Sequence, residues 1–184
     1  MDKNLVWMDL EFSGLEPETD VILEIATIIT DENLEVIAEG PNLAIYQSET
    51  ILSNLDDWNQ KHHTQTGLLD RVRASSESHE SAETKTLEFI KKYCNERKSP
   101  LCGNSIHQDR RYLYKYMPIL SEYLHYRNID VSSFKEIAQR WYPSLPSYKK
   151  SGGHRALADI KESIEEMKYF RSSILKAPQD VTQK

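Results

Sequence analysis

The stretch from Leu5 to Phe12 (LVWMDLEF) combines apolar residues on both faces of an extended strand with two carboxylates on one of those faces. Such an apolar run is typical of a central strand that is covered on both sides, and alternation places Asp9 and Glu11 on the same face. Buried carboxylates are costly unless they meet a cation or reach solvent, and Gly14 and Pro17 end the strand directly after them. The sequence therefore predicts a central strand that carries two acids to its own end, where oxygen ligands suit Mg²⁺ or Mn²⁺.

An acid-x-acid pair by itself is weak evidence for a metal site. The chain has 29 acidic residues among 184, so such pairs should arise by chance about four or five times. The position of this pair inside an apolar strand is what favours a metal site, because two unpartnered carboxylates there would destabilise the fold.

Length and composition indicate one globular domain in a reducing compartment. With 184 residues, of which 39% are apolar, the chain can bury one core, and we assign residues 1–176 to one domain and residues 177–184 to a flexible tail. The only two cysteines show no metal-ligand spacing, which favours the cytoplasm. The N-terminus lacks the basic region of a signal peptide, and no apolar run approaches the length of a membrane span.

The net charge of −6 and the pI of 5.6 limit the kind of nucleic acid that the chain could hold. A protein that binds long nucleic acid usually carries a basic stripe, because neutralised phosphates supply most of the affinity. No such stripe is visible in the sequence. A nucleic-acid substrate should therefore be short, with metal ions and a few placed arginines contacting its phosphates.

The order of the apolar segments predicts an α/β fold with a sheet of mixed direction and the first strand at its centre. Three strand patterns come first, joined by short connections that predict an antiparallel meander. The strands are predicted at residues 5–12, 21–30, 34–46, 100–104 and 128–131. The helices are predicted at residues 49–58, 68–72, 82–93, 109–126 with a break at Pro118, 132–142 with Ser132 as its cap, and 155–175.

Three further residues could join Asp9 and Glu11, although each has an ordinary explanation on its own. Asp109 follows the fourth strand, where the helix dipole favours an acid in the first turn of a helix. His154 follows a pair of glycines and could be a surface residue of that loop, and Asp159 lies on the last helix among many acids.

Taken together and in this order, the five residues Asp9, Glu11, Asp109, His154 and Asp159 resemble the active-site signature of the DEDDh exonuclease family. The resemblance extends from residue 5 to residue 175, and it is strongest toward members of the family that act on short oligoribonucleotides. The segments that carry it are Asp9–Leu15 (DLEFSGL), Trp58-Asn59 with His63, Gly67-Leu68, Cys102–Ser105 (CGNS), Asp109–Arg111 (DRR) and His125–Arg127 (HYR).

The resemblance implies a ribonuclease H-like fold, with a mixed five-stranded sheet of three antiparallel and two parallel strands flanked by helices, and a two-metal hydrolase. Asp9, Glu11, Asp109 and Asp159 would hold two divalent ions, Mg²⁺ or Mn²⁺, about 4 Å apart, and His154 would be the general base. His154 and Asp159 lie about 140° apart around a helix, so His154 has to lie on the preceding loop, whose glycines would let it swing toward the substrate. The expected reaction is 3′→5′ hydrolysis of short oligoribonucleotides, especially dinucleotides, to 5′-mononucleotides.

The same resemblance implies how the bases are held. Leu15 would wedge between two bases, and Trp58 would stack on one of them. Trp58 also falls on the apolar stripe of the predicted helix 49–58, so a core position remains open. His63 is assigned to the substrate and not to a metal, because neighbouring helical histidines such as His62 and His63 point apart.

The resemblance further implies that a 5′-phosphate is capped by four residues at the far end of the substrate. An anion there would suit the free N–H groups of the helix that begins near Ser132. Ser133 keeps the hydroxyl that threonine supplies in many relatives. The four residues are Ser105, Arg127, Ser132 and Ser133.

A homodimer is also implied, with Tyr126 as an active-site residue that reaches across the interface. The tyrosine-rich region with Tyr112, Tyr114, Tyr116 and Tyr123 could form that interface, although core packing explains these tyrosines equally well.

Two alternatives stay open. One is a DEDDh exonuclease that trims longer RNA or DNA, which the missing basic stripe disfavours. The other is a binding module that has lost catalysis, which the presence of all five site residues disfavours.

Overall fold

The computed structural model describes residues 2–149 and 155–176, and a mixed five-stranded sheet runs through them. The strands are β1 (Leu5–Phe12), β2 (Ile22–Thr30), β3 (Val36–Ala44), β4 (Leu101–Gly103) and β5 (Asn128–Asp130). The helices are α1 (Glu49–Leu52), α2 (Asp57–Gln65), α3 (Leu68–Ala74), α4 (His79–Lys91), α5 (His107–Tyr116), α6 (Pro118–Tyr123), α7 (Val131–Trp141) and α8 (Ala156–Ile174).

β1 lies at the centre of the sheet, as the sequence predicted. The strand order is β3-β2-β1-β4-β5, with β1, β2 and β3 antiparallel and with β4 and β5 parallel to β1. Short connections can only join antiparallel neighbours, whereas parallel neighbours need the longer helical crossovers that lead to β4 and β5. The predicted fold class is confirmed.

The two faces of β1 belong to two different cores. Val6, Met8 and Leu10 pack with residues of α4, α5 and α6 on one face. Trp7 faces the other side and packs with residues of α7 and α8, among them Ile160. Each large apolar side chain that is fully buried stabilises the fold by about 1.5–3 kcal/mol. Because Asp9 and Glu11 share the face of Trp7, the acids are turned toward α8.

The apolar stripe predicted as one helix over residues 49–58 forms two helices. The backbone N–H of Asn59 donates to Asp56 Oδ1 at 2.7 Å, so Asp56 is the N-cap of α2. A cap of this kind begins a new helix, and the stripe is therefore interrupted at residues 53–56. Trp58 leaves the core side and is 65% exposed, which excludes the core position.

The prediction that Ser132 caps α7 was wrong. The N-cap is Asp130, whose Oδ1 accepts a hydrogen bond from the backbone N–H of Ser132 at 2.9 Å. Both residue types favour this position, but β5 leads directly into α7, so the extended residue before the helix is Asp130. Ser132 instead lies in the first turn, where its hydroxyl can contact other groups.

Most of the tyrosine-rich region points inward. The hydroxyls of Tyr112, Tyr116 and Tyr123 donate to the backbone carbonyls of Gly14, Asp20 and Cys94, respectively. Tyr114 is the exposed member of the four, at 58%. Core packing therefore accounts for the other three tyrosines.

Within the residues that the structure describes, no helix is long and apolar enough to cross a bilayer. Cys94 and Cys102 are free and buried. The predicted tail, residues 177–184, lies outside the described residues, and the division at residue 176 stays a prediction.

Candidate active site

Three carboxylates from two elements converge at the end of β1. Asp9 and Glu11 come from β1, and Asp159 comes from the first turn of α8. One oxygen of each carboxylate lies within 4.8 Å of the others. Ala156 and Ile160 of α8 are buried in the same core as Trp7, and this packing fixes the first turn of α8 against the acid-bearing face of β1.

Asp109 reaches the same strand from the other side. β4 pairs with β1 only at Val6 and Trp7 and ends at Gly103. Beyond that point the backbone N–H of Leu10 donates to Asp109 Oδ1 at 2.9 Å, in place of a sheet hydrogen bond. Asp109 is 5% exposed and is thereby held at the backbone between Asp9 and Glu11. Three of the four predicted metal ligands therefore form one cluster, and the fourth, Asp109, contacts the backbone of the same strand.

The site is electrostatically strained when it holds only protein groups. Burial and the nearby carboxylates of Asp9, Glu24 and Asp159 raise the pKa of Glu11 to about 9. The pKa of Asp109 is raised as well, first by burial and then by the charge of Asp9. Both effects are expected where acids are crowded in a site with low access to water, and a bound cation would reverse them.

Glu24, which the sequence reasoning missed, is a fifth carboxylate beside this cluster. It lies directly opposite Glu11 in the β1–β2 register and is 2% exposed. Its Oε1 lies 2.6 Å from Nη1 of Arg71 on α3, so this acid has a cation of its own. The sequence could have indicated this residue, because Glu24 is the single charged residue in the apolar segment VILEIATIIT.

His63 closes the end of β1 from α2. Its Nε2 donates to the carbonyl oxygen of Phe12 at 2.9 Å, and the residue is only 2% exposed. Burial lowers the pKa of His63, which favours the neutral ring. The structure thus places His63 at the end of β1, where it contacts the backbone, and its assignment to the substrate stays a prediction.

Two of the residues predicted to contact bases present apolar surface to solvent. Leu15 is 69% exposed in the loop after β1, and Trp58 stacks on His62 with ring centroids 4.7 Å apart. Exposed side chains of this size are available for stacking on nucleobases.

The three serines predicted to cap a phosphate lie where β4 and β5 end, whereas Arg127 directly precedes β5. Ser105 has a positive φ of 49°, its Oγ lies 3.2 Å from Ser132 Oγ, and its backbone N–H donates to Asp130 Oδ1 at 3.0 Å. The structure therefore brings Ser105 and Ser132 together, and Ser133 is exposed in the same first turn of α7.

Tyr126 and Arg127 are both exposed, and the Arg127 guanidinium lies over the Tyr126 ring at 5.3 Å from its centroid. The predicted base, His154, lies outside the described residues.

The donor set fits divalent cations. Four carboxylates supply only hard oxygen ligands, which suit Mg²⁺ or Mn²⁺ better than softer metals. Burial and, after it, the neighbouring carboxylates raise the pKa of Glu11 and of Asp109, and a bound cation would offset the repulsion between these acids.

Comparison with known proteins supports a nuclease. The family model described as Exonuclease (RNase T) matches residues 6–167. The chain is 55% identical over 176 residues to the oligoribonuclease of Shewanella loihica, covering 95% of this chain and 97% of that protein. It is 52% identical over 176 residues to the oligoribonuclease of Klebsiella pneumoniae, with the same shares of both chains.

Solved structures of exonuclease I share the fold. Exonuclease I of Escherichia coli, in complex with a dA16 oligonucleotide, superimposes with a TM-score of 0.72 at 18% identity over 94% of this chain. Exonuclease I of Methylocaldum szegediense gives a TM-score of 0.71, also at 18% identity and over 94% of this chain. The chain spans 41% of the length of each of these two proteins.

Proposed function

This chain belongs to the exonuclease family, and on that premise we propose that it is a 3′→5′ exoribonuclease that hydrolyses short oligoribonucleotides to 5′-mononucleotides. The observation that carries the proposal is the convergence of four acids at the end of β1, three of them with oxygens within 4.8 Å of one another. The extensive identity with oligoribonucleases supports the substrate class.

Asp9, Glu11, Asp109 and Asp159 are the residues that would hold two divalent ions, Mg²⁺ or Mn²⁺. When bound, such ions favour deprotonation of the attacking water and offset the charge on the leaving 3′-oxygen. The Leu10 N–H holds one oxygen of Asp109 at 2.9 Å, so this carboxylate cannot rotate freely and meets an ion in one orientation.

His154 takes the proton of the attacking water. An imidazole with a pKa near neutrality suits this role at physiological pH. Its position next to Gly152-Gly153 in the sequence supports a base that approaches once the substrate is bound.

Leu15 and Trp58 hold the bases, and Arg127 with Ser105, Ser132 and Ser133 holds the 5′-phosphate. The exposed apolar surfaces of Leu15 and Trp58 support the first assignment. The contact between the hydroxyls of Ser105 and Ser132 supports the second. A 5′-phosphate held in this way would fix the distance to the acids, and a dinucleotide would be the preferred length.

Tyr126 completes the site of a partner subunit in a homodimer. Its 71% exposure supports this role, together with the exposed Tyr114 and Ile119 nearby in sequence. We place the reaction in the cytoplasm, since both cysteines are free and a reducing compartment keeps thiols in that state.

The decisive experiment measures cleavage of 5′-phosphorylated oligoribonucleotides of two to seven nucleotides with Mg²⁺ or Mn²⁺. The dinucleotide should be cleaved fastest, because longer strands cannot keep the 5′-phosphate in its cap. A rate that climbs with length would overturn the proposal in favour of a general trimming exonuclease, and the same series made of DNA tests whether the 2′-hydroxyl is required.

A further inference from the structure

The loop that carries Leu15 (residues 13–21, here called the wedge loop) is held by one face of α5. We propose that Tyr112 and Tyr116 are positioning residues that hold the wedge loop in the conformation that presents Leu15 to the substrate. This inference rests on the proposed function, since it assigns these tyrosines a role in binding the bases.

α5 contacts the wedge loop through an ion pair between Arg111 and Glu16 and through hydrogen bonds to the backbone carbonyls of the loop. The Tyr112 hydroxyl donates to the carbonyl of Gly14 at 2.9 Å, and the Tyr116 hydroxyl donates to that of Asp20 at 2.6 Å. Lys115 Nζ donates to the carbonyl of Pro17. Residues four apart lie on the same side of a helix, so Tyr112 and Tyr116 contact the loop just before Leu15 and again at its far end.

The wedge loop is also braced from within. Asp20 accepts hydrogen bonds from Ser13 Oγ at 3.1 Å and from the backbone N–H of Glu16 at 2.9 Å. A Cβ at Gly14 would come within 2.4 Å of the Asp20 carboxylate, so the close approach requires glycine. Leu15 follows Gly14 and is nevertheless 69% exposed. The backbone of the wedge loop is therefore fixed by these contacts, and the side chain of Leu15 projects into solvent.

Tyr112 also connects the wedge loop to the acid-bearing strand. Its ring is fully buried and stacks on Phe12, the last residue of β1, with centroids 4.0 Å apart. Burial raises the pKa of Tyr112, which keeps the hydroxyl protonated and able to donate. One buried ring thus touches both β1 and the loop, and this arrangement sets the distance between Leu15 and the acids.

Removing the Tyr112 hydroxyl should weaken substrate binding without changing the chemistry. In Tyr112→Phe the Gly14 carbonyl loses its donor, and the loop gains freedom that has to be lost again on binding. We expect KM for a 5′-phosphorylated dinucleotide to rise about three- to tenfold, the range that one hydrogen bond supplies. The value of kcat at saturation should stay within about twofold of wild type.

Tyr123→Phe is a matched control. Its hydroxyl makes the same kind of bond, to the Cys94 carbonyl at 2.8 Å, but away from the wedge loop. Both variants lose one hydroxyl and one hydrogen bond, so a general effect on stability should appear equally in both. Only Tyr112→Phe should change KM.

Binding is measured separately with a non-hydrolysable dinucleotide analogue that contains 2-aminopurine, whose fluorescence rises when Leu15 separates the two bases. The rise at saturation should be smaller in Tyr112→Phe than in Tyr123→Phe. In a Leu15→Ala background, Tyr112→Phe should have little further effect, because the two residues would act as one unit.

Equal KM values and equal fluorescence for Tyr112→Phe and Tyr123→Phe, or additive effects of Tyr112→Phe and Leu15→Ala, would overturn the positioning role. If Tyr112→Phe does not fold, Tyr116→Phe applies the same test at the far end of the loop. A wild-type protein that binds the analogue but cleaves no dinucleotide refutes the proposed function alone, and the fluorescence comparison then still decides the role of Tyr112. A wild-type protein that does not bind the analogue overturns both.

Discussion

Glu11→Gln should make the metal-free protein more stable while abolishing hydrolysis. In the folded state, burial and three neighbouring carboxylates raise the pKa of Glu11 from its ordinary value of 4.5 to about 9. Between these two pH values the folded protein holds a proton that the unfolded chain has released. The contribution of Glu11 to the stability of the metal-free protein therefore falls as the pH rises from 4.5 and levels off above 9.

The size of the effect at pH 7 follows from the same pKa. The interval from 4.5 to 7 corresponds to a loss of about 3 kcal/mol in the free energy of unfolding, since each pH unit corresponds to about 1.36 kcal/mol. Glu11 keeps partial contact with solvent, which screens the repulsion. Glutamine has nearly the same shape and carries no charge, so we expect Glu11→Gln to raise the free energy of unfolding by about 1–3 kcal/mol.

Urea unfolding of chelator-treated protein at pH 7 and pH 8 measures this effect. This interval lies above the ordinary histidine pKa and below that of cysteine. Asp109, whose pKa is also raised, is present in both proteins, so the difference between wild type and Glu11→Gln reports on Glu11. The free energy of unfolding of wild type should fall by up to about 1 kcal/mol over this interval, and that of Glu11→Gln should fall clearly less. Glu88→Gln, an exposed residue on α4, is the control and should follow wild type.

The addition of Mn²⁺ should reverse the order of stability. The ion would stabilise wild type by binding its acids and would stabilise Glu11→Gln much less. The reasoning is refuted if metal-free Glu11→Gln is no more stable than wild type at pH 7. It is also refuted if the stability of Glu11→Gln falls as steeply as that of wild type between pH 7 and pH 8.

Three further substitutions test the separate roles in the site. Asp159→Ala should abolish turnover and weaken Mn²⁺ binding in calorimetry, with an unchanged circular dichroism spectrum; turnover near the wild-type rate would contradict a role as ligand. His154→Ala should lower kcat by about 10²–10⁴ with Mn²⁺ affinity retained, and a loss of that affinity would make His154 a ligand instead. Arg127→Ala should remove the preference for 5′-phosphorylated dinucleotides over longer substrates, whereas Arg140→Ala, an exposed arginine paired with Glu136 on α7, should keep it.

The sheet could be predicted because its signals are local. Apolar alternation defines β1, and short connections dictate the antiparallel order of β1, β2 and β3. The break between α1 and α2 could not be predicted, because the helical stripe continues in sequence through residues 53–56. It depends on Asp56, whose side chain caps a new helix. Likewise, the choice of Asp130 over Ser132 as cap depends on where β5 ends.

The candidate site was less accessible to sequence reasoning, because its contacts join distant segments. The residue types of Asp9, Glu11, Asp109 and Asp159 indicated a metal site, but the placement of Asp109 depends on β4 ending at Gly103. Because β4 ends there, the backbone N–H of Leu10 donates to the Asp109 carboxylate. Nothing in the sequence indicates that α5 would donate side-chain hydrogen bonds to the loop after β1.

Glu24 shows that the sequence alone does not distinguish a metal ligand from another acid in an apolar strand. An acid inside an apolar strand marks Glu24 as clearly as it marks Asp9 and Glu11, and the three residues cannot be told apart on that criterion. In the folded protein, Glu24 can be distinguished from Glu11 by the charged groups that lie nearest to each. Glu24 has Arg71 at 2.6 Å, a partner built into the fold, whereas the neighbouring charges that raise the pKa of Glu11 are all carboxylates. An acid that is paired with an arginine has its charge balanced within the protein, whereas an acid crowded by other carboxylates would gain from a bound cation. The position of Arg71 thus distinguishes Glu24 from Glu11, which we propose as a metal ligand.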